Sequence, residues 1–278
     1  MLHIIHSYDK FERIVINTID TDVLVLLISY VGRMKSIGPS PNLEIYAYLT
    51  AGKKYYNIKE ITKSLGKEVC LALPFFYCLT GCDTVSSLNG KGKCKAWDAW
   101  FNSNNKDEFT RVFAVLGNQP REVTKEQMKQ IEEFICQLYG VSGSSLGAHR
   151  MRKFQKSTDD DLRKLPPSRE ALSQHVRRSC YQAGYLWQEC QSDLLLPEPK
   201  EWGWVFDEKQ GFIPYWLSVL STVDLEKFVT TCTCKSGKCK SCKCATADMA
   251  CIRMCGCNRK CEERKATKQD NNKQKKGK

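Results

Sequence analysis

Apolar and polar positions change period several times over the first hundred residues, and each change marks an element. RIVINTI, residues 13–19, is a β-branched run bounded by charge and by the turn-prone Asp20, which predicts a buried strand. VLVLLISYVG follows Asp20-Thr21-Asp22 and predicts a short helix ending near Gly32. LEIYAYL (43–49) and KKYYNI (53–58) alternate as two strands joined across Thr50-Ala51-Gly52. IKEITKSLG reads as a helix closed by Gly66, and KEVCLALPFFYCLTG as another that Pro74 starts or kinks. CKAWDAWF adds a further helix. Strands alternating with helices predict an α/β segment whose parallel strands carry helices on both faces.

Beyond residue 106 the period is helical. DEFTRVFAVLG is followed by TKEQMKQIEEFICQLYG, with Met128, Ile131, Phe134, Ile135 and Leu138 on one stripe. Residues 141–167 mix glycine and serine, then charge, then a double proline, and read as a linker in which Asp159–Asp161 is a solvated loop. Ser168 caps REALSQHVRRSCYQAGYLWQECQ, whose Leu172, Val176, Cys180, Ala183 and Trp187 form a core stripe and whose His175 reads as structural. EWGWVFDEKQGFIPYW (201–216) reads as an aromatic hairpin turning at Asp207–Gly211, its tryptophans packing on the preceding helix rather than stacking on bases. The expected organisation is a partial α/β domain over 1–105, a helical extension over 106–140, the linker, and helix plus hairpin over 168–220. A small irregular cysteine-rich unit over 232–261 and a basic tail over 262–278 follow.

Charge changes this picture. The chain carries +12 overall, yet residues 232–278 hold 14 Lys/Arg against 4 Asp/Glu, leaving the first 231 residues with 29 against 27. An acidic partner is therefore expected at the C-terminal segment. MLHIIHSYDK reaches charge too early for a secretory signal, and VLVLLISYV is far too short to span a membrane, so no membrane role is expected. In the reducing compartment this implies, clustered cysteines favour metal over disulfides.

Of the 16 cysteines, nine lie in one run: Cys232, Cys234, Cys239, Cys242, Cys244, Cys251, Cys255, Cys257 and Cys261. Two tetrahedral zinc ions would leave one thiolate over, whereas three zinc ions need twelve bonds, which nine thiolates supply if three of them bridge. The net charge of such a cluster, three dications with nine thiolates, is −3, and Lys235, Lys238, Lys240, Lys243, Arg253, Arg259 and Lys260 surround it. Almost no apolar residues accompany the cysteines, so metal must supply the folding energy. A metallothionein-like buffer or a disulfide knot is the bland alternative. The spacing resembles a tesmin-type CXC domain, as in nuclear cell-cycle and chromatin proteins. That resemblance implies three structural Zn²⁺, DNA binding and nuclear localisation. Ser241 stands where the family commonly has a tyrosine entering the minor groove, so largely non-sequence-specific phosphate contact by Lys235, Lys238, Lys240 and Lys243 is expected.

Asp20 and Asp22 follow a strand, where α/β sheets collect ligand-binding groups, and Asp83 follows another apolar segment in Gly81-Cys82-Asp83. Taken alone, an Asp-x-Asp after a strand is often a helix cap. In order and spacing these residues resemble the internal region of the flap-endonuclease (XPG-like) branch of PIN nucleases. The resemblance implies that Asp20, Asp22 and Asp83 are ligands of a Mg²⁺ or Mn²⁺ phosphodiesterase site. It also implies that Gly90 and Gly92 approach duplex phosphates while Lys91, Lys93 and Lys95 add charge. In that family the first catalytic strand and an acidic pair precede the Asp20 position, so an incomplete PIN-like sheet, inactive alone as a nuclease, is expected. The whole chain, with CYQAGYLW and EWGW, resembles the C-terminal part of transposon-associated proteins. The expected function is zinc-dependent DNA binding with a nuclease remnant. The rivals are an interaction protein engaging a protein partner, and a nuclease completed by further sequence.

Overall fold

The computed structural model describes residues 11–34, 43–140, 146–150, 164–188, 196–216, 231–235, 241–246, 251 and 255–258. Asn17 and its neighbours form β1 (Arg13–Thr18), which pairs parallel with β2 (Glu44–Leu49) from Arg13↔Glu44 to Thr18↔Leu49. β2 in turn pairs antiparallel with β3 (Lys54–Asn57), giving the order β1-β2-β3. Among the described strands, the one expected to be buried is instead at the sheet edge. Ile45 and Ala47 on β2 are fully buried, whereas Val15 on β1 is 47% exposed and Tyr55 on β3 is 62% exposed. Only the face bearing Ile14, Ile16, Ile45 and Ala47 joins the core. The β-branched composition that favours a strand does not distinguish a covered from an open face.

Between β1 and β2 runs α1 (Thr21–Met34), longer than the pattern predicted. Gly32 lies inside it rather than ending it. A Cβ at Gly32 would stand 2.6 Å from Cys70 Cβ, so this glycine lets α1 close against α3 (Lys67–Leu79). α2 (Ile58–Leu65) starts at Asn57, whose side chain accepts from the Glu60 N–H, and closes at Gly66 with φ +80.

α3 is buried on nearly every side, which explains its unbroken apolar sequence around Pro74. α1 and α5 (Lys106–Leu116) pack along it, α4 (Lys93–Phe101) reaches it through Trp97 and Trp100 on Phe76, and α6 (Lys125–Leu138) packs on α4 and α5. Phe76 and Phe113 lie with ring centroids 4.9 and 5.1 Å from Trp100, and the Trp100 indole N–H donates to Thr110 Oγ1 at 3.0 Å. Ile131, Phe134, Ile135 and Leu138 bury the predicted stripe of α6, and Thr124 with Gln127 forms its capping box. Leu146, within the span read as a linker, is fully buried in the same core. α7 (Arg169–Gly184) is capped by Ser168 and buries Leu172, Val176, Cys180 and Ala183. The hairpin β4 (Trp204–Asp207) and β5 (Gly211–Pro214) follows, and Trp202 before it packs on Tyr181 and Tyr185 of α7's end. No helix among the described residues is long and apolar enough to cross a membrane.

His175 on α7 is structural, as expected. It is buried, with Nε2 2.8 Å from the Leu79 carbonyl and Nδ1 3.4 Å from Ser86 Oγ. A neutral ring donating through Nε2 and accepting from Ser86 satisfies both contacts. Burial pushes its pKa down from 6.5 to about 4. The unfolded chain therefore binds a proton that the folded one refuses, so stability is complete above about pH 6.5 and falls as pH drops towards about 4. The loss is on the order of 3 kcal/mol, and His175→Gln should flatten the fall of melting temperature across that window. Parallel curves for wild type and variant would contradict this role.

The cysteine-rich region belongs to a separate unit, Met151–Asp160 with Leu217–Lys278. Its described part contains one short helix, α8 (Lys243–Thr246), and a cluster of buried cysteines.

Candidate metal centres

Asp20 leaves β1 and turns back on the start of α1. Its Oδ1 accepts from the Asp22 N–H at 3.0 Å, and its own N–H donates to Thr18 Oγ1 at 3.0 Å. The cap reading of Asp-x-Asp therefore holds for Asp20, and the cap also fixes where Asp22 projects. Asp83 comes from the corner after α3. Gly81 there has φ +107, and a Cβ would stand 2.7 Å from Ser87 Cβ, so no other residue fits that bend. The Cys82 N–H donates to the Val85 carbonyl at 2.9 Å and the Val85 N–H returns to Cys82 O at 3.2 Å, closing a short loop around Asp83. Thr84 donates to Gln182 at 2.7 Å, which ties the loop to α7.

These two corners bring Asp20, Asp22 and Asp83 together, each offering an oxygen within 4.8 Å of the others. Asp20 and Asp83 are exposed and Asp22 is half-buried. Burial holds the Asp22 carboxyl above the usual range, while the neighbouring Tyr77 hydroxyl pulls the other way. Oxygen ligands at this spacing suit one hydrated hard cation, whose octahedral neighbours stand about 3–4 Å apart.

The lysines of the glycine turn do not all face outward. Lys93 is half-buried, with Nζ 3.2 Å from the Tyr77 carbonyl and 3.3 Å from Thr80 Oγ1, and bonded to the Gly81 carbonyl. Lys91 Nζ lies 4.8 Å from the Tyr139 ring centroid. Gly90 (φ +68), Gly92 and Lys95 are exposed at the entry to α4.

In the cysteine-rich unit, Cys232, Cys244, Cys251 and Cys255 place their sulfurs within 4.8 Å of one another. The Cys232–Cys251 sulfurs are 3.7 Å apart and the Cys244–Cys255 sulfurs 3.6 Å apart. A tetrahedron with Zn–S bonds of 2.3 Å has edges of about 3.8 Å, so this set fits one zinc ion. Cys257 is buried beside them, and Cys234 and Cys242 pack against the cluster. Among the described residues no disulfide joins these seven cysteines. Burial pushes the Cys232 and Cys244 thiols up, so a cation that binds thiolate must offset that desolvation. Lys235, Ser241 and Lys243 are exposed, while Cys239, Cys261, Lys238 and Lys240 lie outside the described residues.

Sequence reasoning missed Tyr77, which the apolar run LALPFFYCL concealed as a core residue. Its hydroxyl sits 2.6 Å from Thr21 Oγ1 and is pushed up to about 12 by burial and by Asp22. It also missed Cys82, the residue before Asp83. The neighbouring Cys78 thiol brings Cys82 down to about 6. Their spacing, residues 78 and 82 across the end of α3, was the available signal. Compared with protein-family models, curated proteins and solved structures, the chain has no match, so its chemistry rests on these two clusters.

Proposed function

We propose that this protein is a zinc-dependent DNA-binding protein of the nucleus and of mobile-element origin, whose α/β unit retains a carboxylate site for one divalent cation. The observation that carries the reading is the convergence of four thiols at tetrahedral spacing with Lys235 and Lys243 left at the surface. The excess of ten positive charges in residues 232–278 makes a polyanion the fitting partner. Such binding acts through phosphates and is largely indifferent to sequence.

The α/β unit contributes a second, weaker anion contact. Gly92 precedes α4, whose first backbone N–H groups have no intrahelical partner and can face a phosphate. Mg²⁺ or Mn²⁺ at Asp20, Asp22 and Asp83 would sit on the same unit. In-line phosphodiester hydrolysis is best served by a second metal about 4 Å away. Three carboxylates hold one cation, so this reading assigns cation binding and no cleavage to the chain by itself.

Native mass spectrometry of the zinc-loaded chain tests the cluster. Three zinc ions per chain are expected if all nine cysteines act with three bridging. A count of one would leave only the set Cys232, Cys244, Cys251 and Cys255 and would remove the bridged cluster.

A further inference from the structure

We propose that Lys93 and Tyr77 are positioning residues for the carboxylate cluster, with Lys93 pinning the end of α3 and Tyr77 carrying that constraint to Asp22. The proposal rests on the reading of Asp20, Asp22 and Asp83 as a cation site.

Lys93 breaks a local rule. It is the first residue of α4, where the helix dipole disfavours a cation, and no acid stands in that first turn. Its ammonium instead reaches the end of a different helix. Tyr77 O, Thr80 Oγ1 and Gly81 O surround it, at the C-terminal end of α3 where carbonyls lack intrahelical partners and the dipole favours positive charge. A lysine that satisfies three acceptors at a helix end serves as a cap supplied from outside the helix.

The same ammonium lies 3.8 Å from the Tyr77 ring centroid, within cation–π range. That ring ends in the hydroxyl that lies 2.6 Å from Thr21 Oγ1, at the start of α1 and beside the Asp22 carboxylate. One side chain thus grips both corners of the site. Through Gly81 it fixes the main chain two residues before Asp83, and through Tyr77 it fixes the first turn of α1. Its charge also opposes the mutual repulsion of three carboxylates held within 4.8 Å. Lys93 in this arrangement faces the protein, and phosphate contact is left to the backbone around Gly92 and to Lys95.

Mn²⁺ binding to the full chain, followed by electron paramagnetic resonance, reads the consequence. Lys93→Met should weaken Mn²⁺ binding about tenfold, as loss of a ligand-orienting group does, and Tyr77→Phe should weaken it by a similar or smaller factor. The double variant should be little weaker than Lys93→Met alone, because both act through one linkage. Lys93→Arg, which keeps charge and donors, should recover part of the affinity. Leu116→Val, a core change elsewhere, should lower the melting temperature and leave Mn²⁺ affinity unmoved. Asp22→Ala should abolish binding, which tests the cation site itself. If wild type binds no Mn²⁺, that site reading falls, and the pin is judged by hydrogen exchange at residues 81–85, expected to be faster in Lys93→Met. Wild-type exchange in Lys93→Met, or wild-type Mn²⁺ affinity in that variant, would overturn the proposal. Strictly additive effects in the double variant would overturn the role of Tyr77.

Discussion

Chelation of the zinc-loaded protein should unfold the cysteine-rich unit completely while the helices within residues 11–216 persist. The buried hydrophobic residues described in that unit are Cys232, Cys244, Cys251, Cys255 and Cys257, with no aliphatic or aromatic side chain among them. Without metal, the thiols have little to hold them together against chain entropy, which costs about 1–2 kcal/mol per ordered residue. Structural zinc contributes about 10–16 kcal/mol in small metal-folded units, as much as the upper part of the stability range of whole domains. The other unit has a core built on Phe75, Trp100, Phe113 and Phe134, all fully buried and remote in kind from metal chemistry. Circular dichroism after chelation should therefore keep its helical signal, while exchange protection within residues 231–258 disappears. Simultaneous loss of both units, or protection that survives chelation, would contradict this division of labour.

Replacing Lys235, Lys238, Lys240 and Lys243 together by alanine should produce the second large effect, a collapse in duplex DNA affinity at low salt. Each phosphate neutralised contributes about 0.9 to the slope of log affinity against log salt, so four fewer contacts should flatten that slope by up to about 3–4. The loss should be nearly equal across unrelated sequences, because phosphate contacts position without reading bases. Lys235 and Lys243 are exposed and Ser241, between the cysteines, has no aromatic reach into a groove. A variant that loses affinity for one sequence only would show base readout and would contradict this account of Ser241.

Periodicity made much of the α/β unit legible, because capping and core stripes are local. Ser168 caps the helix it precedes, as read, and the stripe Ile131, Phe134, Ile135 and Leu138 is buried. Two readings failed for a tertiary reason. Gly32 looked like a helix end, but its role is set by Cys70 on another helix. RIVINTI looked buried, but exposure depends on what lies beside and over a strand, and among the described strands β1 is at an edge with Val15 exposed. The acidic residues were visible from their order, since strand and helix ends bring Asp20, Asp22 and Asp83 to one place. Lys93 was not, because its partners Tyr77, Thr80 and Gly81 belong to a helix end 12–16 residues away, and a Gly-Lys-Gly-Lys turn reads as solvated charge. In the cysteine run, spacing alone grouped nine ligands, and the described geometry brings four of them to tetrahedral distances.

The dependence of DNA binding on zinc tests the central claim most directly. Fluorescence anisotropy with a labelled duplex at fixed low salt compares the zinc-loaded chain, the same chain after chelation, and the chelated chain reloaded with zinc. Binding should be lost on chelation and restored by zinc, because only the folded cluster presents its lysines at fixed spacing. Equal affinity in all three states would show that charge suffices without the metal, and would contradict the account.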